Sequence, residues 1–146
     1  MQIFRLTNQL LEQALEIYQN CLNQTNFSKN TLKLTNSYPY NHIYLAKIDF
    51  AICGLIDYSV ISNQAFLNNI ATKRLYRNRG IASNLMKSMI TKCVDLRADS
   101  ISLEVRASNQ SAINLYTKFG FSKISKRRQL YSSPTEDGWV MTLEMK

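Results

Sequence analysis

The 146-residue sequence has few of the residues from which disulfide frameworks and metal sites are built. It contains three cysteines and one histidine. Cys21, Cys53 and Cys93 lie far apart and form no Cys-x-x-Cys pair, so neither a disulfide framework nor a zinc site is indicated. Because His42 is the single histidine, no Ser-His-Asp or Cys-His catalytic arrangement is indicated. We therefore predict a site without metal.

Long apolar runs and flexible segments are also scarce. No run approaches the roughly 20 apolar residues that a membrane helix needs. Residues 1–5 lack the charged head and the long apolar stretch of a signal peptide, which predicts a cytoplasmic protein. The chain has only four glycines and two prolines, and it has no repeat, linker or low-complexity segment. We therefore expect one domain, residues 1–146, around one core.

The net charge of +8 is unevenly distributed along the chain. Residues 1–60 carry four basic and four acidic side chains, whereas residues 61–146 carry fourteen basic and six acidic ones. An anionic ligand or partner is therefore expected to bind the second half. A solvated basic surface is the alternative that charge alone leaves open.

Hydrophobic periodicity predicts a mixed α/β domain with the element order β-α-α-β-β-β-α-β-α-β-β. The strands are predicted at residues 3–6, 43–48, 51–61, 65–72, 100–106, 121–131 and 139–145. The helices are predicted at residues 8–22 and 28–36, along the apolar stripe 81–93, and over 112–119, where Gly120 follows as the cap.

The turn between the strand at 65–72 and the next helix is a candidate anion site. Its sequence, residues 77–82, has the form [Arg/Gln]-x-x-Gly-x-[Gly/Ala]. The first amides of a helix have no intrahelical partner and lie at the positive end of the helix dipole, so they bind anions. Gly80 and Ala82 allow close approach, and Arg77 and Arg79 add positive charge. The alternative is an ordinary turn with solvated arginines, and no Gly-Lys-[Ser/Thr] follows to make it a nucleotide P-loop.

Two side chains further along suit acid–base chemistry. Glu104 lies on the polar face of an alternating strand, and Tyr116 lies on the apolar face of the following helix. A carboxylate and a phenol can serve as base and acid. Taken alone, Glu104 also fits a solvated strand residue, Tyr116 a core residue, and Asn109 a simple helix N-cap.

These stretches together resemble the GNAT superfamily of acetyltransferases. The resemblance is carried by the turn, by Leu-Glu-Val-Arg-Ala-Ser-Asn at 103–109 and by Leu-Tyr-Thr-Lys-Phe-Gly-Phe at 115–121. More narrowly, residues 66–145 resemble the bacterial N-terminal alanine acetyltransferases that modify a small-subunit ribosomal protein. That resemblance implies a mixed, mostly antiparallel sheet with helices on both faces.

The resemblance also implies a role for each matching residue. Acetyl-CoA would be the cosubstrate, Glu104 the general base and Tyr116 the general acid in a direct attack by the amine. Three groups of residues would bind the cofactor: the backbone of Ile70, Ala71 and Thr72 for the pantetheine arm and thioester carbonyl, the backbone of Asn78, Arg79, Gly80, Ile81, Ala82 and Ser83 for the diphosphate, and Asn109.

The implied acceptor is an N-terminal α-amine, most simply that of a ribosomal protein. At pH 7, removing a proton costs about 1.4 kcal/mol for an α-amine but about 4.6 kcal/mol for a lysine amine. Acetylation of a polyamine or an antibiotic is an alternative enzyme function, and a basic RNA- or ribosome-binding module is an alternative of another class.

The chain departs from the subfamily pattern at three places where a peptide substrate is expected to bind. Asn-Phe-Ser-Lys at 26–29 replaces a usual Pro-Trp segment, Leu130-Tyr131 replaces paired tyrosines, and Gly138 replaces an alanine. The cofactor residues are unaffected, so these departures bear on the acceptor, which the sequence does not identify.

Overall fold

The computed structural model describes residues 1–145, which form the strands and helices in the predicted order. The strands are β1 (Gln2–Arg5), β2 (Asn41–Ile48), β3 (Ala51–Ile61), β4 (Gln64–Thr72), β5 (Ser100–Arg106), β6 (Ser122–Tyr131) and β7 (Glu136–Glu144). The helices are α1 (Leu11–Asn20), α2 (Lys29–Ser37), α3 (Ile81–Asp95) and α4 (Gln110–Lys118). Short 3₁₀ turns at Asn8–Leu10 and Arg74–Tyr76 precede α1 and α3, so the first turn of the helix predicted at 8–22 is 3₁₀ rather than α-helical.

The strands form one sheet in the order β1-β2-β3-β4-β5-β7-β6. Within residues 1–145, only the β4–β5 pairing is parallel, and the other five are antiparallel. The mixed, mostly antiparallel sheet implied by the resemblance is therefore confirmed.

Helices cover the two faces of the sheet, as expected. On one face, α1 and α2 pack Tyr18 and Leu32 against alternate residues of β2 and β3, including Leu45 and Leu55. On the other face, α3 and α4 pack against a second cluster whose members are Ile56, Leu85, Met89, Ile101, Ile113 and Met141, among others. None of the helices in residues 1–145 is long and apolar enough to cross a membrane.

An extra residue in β4 opens the sheet at its centre. On β3, Tyr58 lies opposite Leu67 and Asp57 lies opposite Asn69, so Asn68 has no partner and forms a β-bulge. A bulge bends its strand and increases the local twist. β4 pairs with β5 only over its first three residues, before the bulge. Beyond that point the two strands diverge and leave a cleft between them.

Candidate active site

The cleft between β4 and β5 is a cavity of about 340 Å³ whose lining includes four residues predicted to belong to the site. These are Ile70, Glu104, Asn109 and Tyr116. They come from β4, from β5, from the N-cap of α4 and from α4 itself, so the cleft brings together residues that lie up to 46 positions apart in sequence.

Glu104 lies on the open face of β5, and its neighbours Leu103 and Val105 are buried on the opposite face. Its side chain is 44% exposed, and its Oε2 accepts a hydrogen bond of 2.5 Å from Arg127 Nη1. No described residue bonds to Oε1, so that oxygen can accept a proton from a ligand in the cleft. The sequence did not reveal this ion pair, because β7 lies between β5 and β6 and only the register of three strands brings the two residues together.

Tyr116 lies beneath the cleft on α4 and is only 6% exposed. Burial, with a smaller contribution from Tyr131, raises the pKa of Tyr116 to about 12. Its hydroxyl makes no hydrogen bond to any side chain or backbone group in residues 1–145, although the residue lines the cavity. The phenol is therefore protonated at neutral pH and free to donate to a ligand.

The end of α4 fixes the position of Tyr116. Gly120, at φ +97°, donates its N–H to the Thr117 carbonyl at 3.0 Å, and the Phe121 N–H bonds to the Tyr116 carbonyl at 3.1 Å. These two bonds form a Schellman motif, which confirms the predicted glycine cap. The rings of Tyr116 and Phe121 lie 6.0 Å apart. The phenol is therefore held both by its helix and by Phe121, the residue that leads into β6.

Asn109 caps the other end of α4. Its Oδ1 accepts a hydrogen bond from the Ala112 N–H at 3.2 Å, and the residue also lines the cleft. The N-cap reading of the sequence is therefore confirmed. The cap uses the side-chain oxygen, which leaves the Nδ2 donor available on the cleft side.

The β6–β7 hairpin forms one wall of the cleft through Tyr131. The Arg106 guanidinium lies over the Tyr131 ring, 4.5 Å from its centroid, and donates to the Pro134 carbonyl and to Glu136. Glu136 also accepts the Ser108 N–H at 2.6 Å, and the hydrogen bonds from Ser108 and Arg106 lower the pKa of the Glu136 carboxyl. Arg106 and Glu136 thus connect the hairpin to the start of α4.

A second cavity, of about 360 Å³, lies at the N-terminus of α3. Its lining includes Thr72 and five residues of the predicted diphosphate turn: Asn78, Gly80, Ile81, Ala82 and Ser83. Asn78 and Gly80 have positive φ angles of 64° and 77°. The first bond of α3 runs from the Asn84 N–H to the Gly80 carbonyl, so the amides of residues 81–83 have no intrahelical partner.

Arg79 does not line this second cavity. Its guanidinium instead lies 5.4 Å from the centroid of the Tyr76 ring, in a cation–π contact. Arg77 Nε donates to the Thr72 carbonyl at 3.3 Å. Both arginines therefore keep their positive charge near the turn, and their contacts with Tyr76 and Thr72 also stabilise the conformation of the turn.

Residues 70–72 of β4 connect the two cavities. They pair with β3 on one side, through Ile56, Leu55 and Gly54. On the other side, β5 has already diverged, so this edge of β4 has no strand partner within the described chain. Ala71 packs its side chain into the core beneath α1, so only its backbone can face the cleft. The buried Thr72 Oγ1 also has no hydrogen-bond partner among residues 1–145.

These features fit an extended ligand that has a phosphate group at one end. Free amides at a helix N-terminus suit phosphate oxygens, and an unpaired strand edge suits an amide-containing arm that binds as an added strand. A model of the Acetyltransferase (GNAT) family matches residues 6–121. The chain belongs to this family. It is an N-acetyltransferase of the GNAT type, as the sequence resemblance implied.

Individual relatives are also named as N-acetyltransferases. A protein of Bacillus subtilis (strain 168), provisionally named a [ribosomal protein bS18]-alanine N-acetyltransferase, is 33% identical over 103 residues, or 70% of this chain and 68% of that protein. The [ribosomal protein bS18]-alanine N-acetyltransferase of Escherichia coli (strain K12) is 38% identical over 79 residues, which span 54% of this chain and about half, 52%, of that protein.

The fold is that of a solved member of the family. The crystal structure of the ribosomal-protein-S18-alanine N-acetyltransferase from Escherichia coli superposes with a TM-score of 0.87 at 26% identity, and the match covers 99% of this chain and 94% of that one. The family, the fold and the acetyltransferase class are thus settled, while the roles of individual site residues stay predictions.

Proposed function

We propose that this chain transfers the acetyl group of acetyl-CoA to the N-terminal α-amine of a protein, and that the acceptor is a ribosomal protein that begins with alanine. The observation that supports this most is the alignment of the two cavities along the free edge of β4. One end offers helix amides for phosphates, and the other presents Glu104 and Tyr116. The names of the relatives support the choice of acceptor.

The residues present fit acetyl-CoA. The amides of residues 78–83 would bind the diphosphate, and the edge of residues 70–72 would pair with the pantetheine arm, to which Thr72 Oγ1 offers a hydrogen bond. When bound, the cosubstrate supplies an activated acetyl thioester. A backbone N–H from residues 70–72 would stabilise the negative charge that develops on the acetyl carbonyl oxygen.

Glu104 would accept the proton that the amine must lose before it attacks. Oε2 is held by Arg127, which orients the carboxylate, and Oε1 has no hydrogen-bond partner among the described residues. A carboxylate is a weak base, so it suits an acceptor whose deprotonation costs little. An N-terminal α-amine, with a pKa of about 8, meets that condition better than a lysine with a pKa near 10.4.

Tyr116 would then donate a hydrogen bond from its hydroxyl to the departing thiolate. Burial keeps the phenol protonated, and its hydroxyl has no competing partner within the described residues. A thiolate with a pKa of about 8.5 is less basic than the phenolate, so complete proton transfer is uphill. The contribution of Tyr116 is therefore a hydrogen bond that strengthens as the thiolate develops.

A thiol-release assay tests the function directly. The protein is incubated with acetyl-CoA and, in separate arms, a peptide that begins with alanine, the same peptide with its N-terminus blocked, spermidine, and an aminoglycoside. We expect release with the free-N-terminus peptide alone. Glu104→Gln should lower kcat/KM for that peptide by about 10²- to 10⁴-fold, the usual contribution of a general base.

Glu144→Gln is the matched control, because Glu144 is an exposed carboxylate on β7, at the far end of the β5 pairing. It should retain normal turnover. Background release with the free peptide, or turnover in Glu104→Gln that matches the control, would contradict the proposal. Release with spermidine or the aminoglycoside alone would assign the chain to small-amine acetylation instead. Tight, strongly salt-dependent RNA binding without thiol release would assign it to the RNA-binding alternative.

A further inference from the structure

A buried carboxylate lies next to the cleft, and the proposed mechanism does not use it. Asp57 on β3 is only 5% exposed. Its Oδ2 accepts hydrogen bonds from the Tyr18 hydroxyl at 2.8 Å and from Asn69 Nδ2 at 3.2 Å, and its Oδ1 accepts one from Asn68 Nδ2 at 3.3 Å. Burial raises the pKa of this carboxyl, while the three hydrogen bonds act in the opposite direction. Three donors from α1 and β4 thus surround one carboxylate.

The bulge in β4 makes this arrangement possible. In a regular strand, consecutive side chains point to opposite faces, so Asn68 and Asn69 could not both reach Asp57. The unpaired position of Asn68 in the ladder breaks that alternation and places both amides on the same carboxylate. The residue that opens the cleft is therefore also oriented by Asp57.

The hydrogen bonds determine which way the Asn68 amide points. Its Nδ2 donates to Ser59 Oγ at 3.0 Å and to the Asp57 carboxylate. An ionised carboxylate only accepts hydrogen bonds, so the nitrogen must face Asp57 and the oxygen must face away. Asn69 differs, because its Oδ1 is already occupied by Gln24 Nε2 at 2.9 Å. Asn68 Oδ1 has no partner within residues 1–145.

That oxygen belongs to an exposed residue beside the proposed base. Asn68 and Glu104 both line the cleft, and both also line an adjoining cavity of about 370 Å³ on the open face of β4, β5 and β7. An N-terminal amine that enters between them has more than one N–H to donate. Glu104 can take the proton that is lost, and a second N–H can donate to an acceptor that does not remove it.

We propose that Asn68 is an acceptor-binding residue whose side-chain carbonyl accepts an N–H from the substrate amine beside Glu104, and that Asp57 is the positioning residue that holds this carbonyl toward the cleft. The inference rests on the proposed function. It assigns the second hydrogen bond of the amine to Asn68, the residue that forms the β-bulge. This hydrogen bond would orient the nitrogen lone pair toward the thioester.

The first experiment measures steady-state acetylation of the free-N-terminus peptide by Asn68→Ala. We expect its kcat/KM for the peptide to fall about tenfold, mainly through KM, which is at the upper end of the loss typical of one hydrogen bond between neutral groups. The KM for acetyl-CoA should stay at its wild-type value, because Asn68 does not line the cavity at the N-terminus of α3. The thermal midpoint should fall, because the buried Asp57 carboxylate and Ser59 lose a hydrogen-bond donor. Asn30→Ala, at an exposed position on α2, is the matched control and should leave all parameters unchanged.

A double-mutant cycle tests the role of Asp57. Asp57→Asn replaces one acceptor oxygen by a donor, so the Asn68 amide is no longer forced to point its nitrogen inward. We expect this change to raise the peptide KM in the wild-type background and to leave it unchanged in the Asn68→Ala background. Ser59→Ala, which removes the other acceptor of Asn68 Nδ2, should raise the same KM if Asp57→Asn does not fold.

The outcomes separate this inference from the function on which it rests. If the wild-type protein releases no thiol with any amine, the proposed function fails and the inference fails with it. If the wild type turns over but Asn68→Ala has the same peptide KM, the inference alone is overturned. An Asp57→Asn effect of equal size in both backgrounds would show that the carboxylate acts on stability rather than through Asn68.

Discussion

Tyr116 is the residue of α4 that we propose as the general acid. Its ring packs in the core against Phe121, while its hydroxyl opens into the cleft without a partner in residues 1–145. Burial favours the uncharged phenol, so the pKa rises to about 12. As pH rises through 10, an exposed tyrosine begins to ionise, whereas Tyr116 keeps its proton. The phenol is therefore available as a donor across the whole range in which the acceptor amine becomes deprotonated.

Tyr116→Phe should lower kcat about 100-fold and leave acetyl-CoA binding nearly unchanged, because only the hydroxyl is removed from a ring that stays packed. The wild-type rate should rise with pH as the amine loses its proton, and it should show no alkaline loss from Tyr116 below about pH 11. Stopped-flow thiol release across pH 6–10 measures both. Tyr40→Phe, at an exposed tyrosine, is the control. Normal turnover in Tyr116→Phe would remove it from the acid role.

The side chains that bear on the chemistry differ in how far the sequence could predict them. Asn109 and Tyr116 lie at a helix cap and on a helix face, so residue type and spacing predicted where they lie, whereas their roles in the site come from the family resemblance and stay predictions. Glu104 was selected correctly for the open face of β5, but its Arg127 partner depends on the register of three strands. Asp57 lies in a strand buried on both faces, where the sequence shows an apolar run and no sign of three donors from elsewhere.

The β6–β7 hairpin is the element in which the departures from the subfamily pattern prove to be linked. A Cβ added at Gly138 would lie 2.7 Å from Leu130 Cδ2 and 2.8 Å from Tyr131 Cε2. These distances are shorter than normal van der Waals contact, so the side chains at 130 and 131 lie where an alanine methyl would be. Gly138 and Leu130-Tyr131 therefore form one packing unit, which sets the position of the Tyr131 ring on the cleft wall.

Gly138→Ala should displace Tyr131 and weaken its stacking under Arg106, with a loss of about 1–3 kcal/mol in the free energy of unfolding. Denaturant titration measures the stability, and the peptide KM should rise because the cleft wall moves. Leu130→Ala combined with Gly138→Ala supplies the space and should recover part of the stability. An unfolding midpoint equal to that of the wild type in Gly138→Ala would show that the hairpin adjusts without cost.

Element order was predictable because each helix and strand contains its own periodicity. The apolar stripe of α3 and the alternation of β5 are both visible within a single segment, and both match the structure closely. The bulge at Asn68 was not predicted, since the asparagines at 68 and 69 give no local sign of which residue leaves the ladder. Asn68 bonds to Asp57 and Ser59 on β3, and Asp57 in turn bonds to Tyr18 on α1, so these contacts join residues that lie far apart in sequence.

At the scale of the whole molecule, the excess positive charge of the second half of the chain includes one group of side chains next to α3 and another on β6. Arg74, Arg77 and Arg79 surround the N-terminus of α3, and β6 presents Lys123, Lys126, Arg127 and Arg128 on its exposed length. Two members of the β6 set are already paired, Arg127 with Glu104 and Lys126 with Asp137. The arginines near α3 have no carboxylate partner within the described residues, so their positive charge is available to attract an anionic ligand.

The KM for acetyl-CoA should therefore depend on ionic strength. The phosphate groups of the cosubstrate and the exposed arginines attract each other over a distance that salt shortens, from a Debye length of about 10 Å at 0.1 M to about 3 Å at 1 M. We expect KM to rise about five- to tenfold between 0.05 and 0.5 M NaCl, while the peptide KM changes less.

Arg79→Gln should raise the KM for acetyl-CoA at low salt and make it less dependent on salt. Arg97→Gln removes the same charge beyond the far end of α3, about 22 Å away along the helix, and should do neither. Equal effects of the two substitutions would mean that net charge, rather than the field at the α3 N-terminus, sets the affinity.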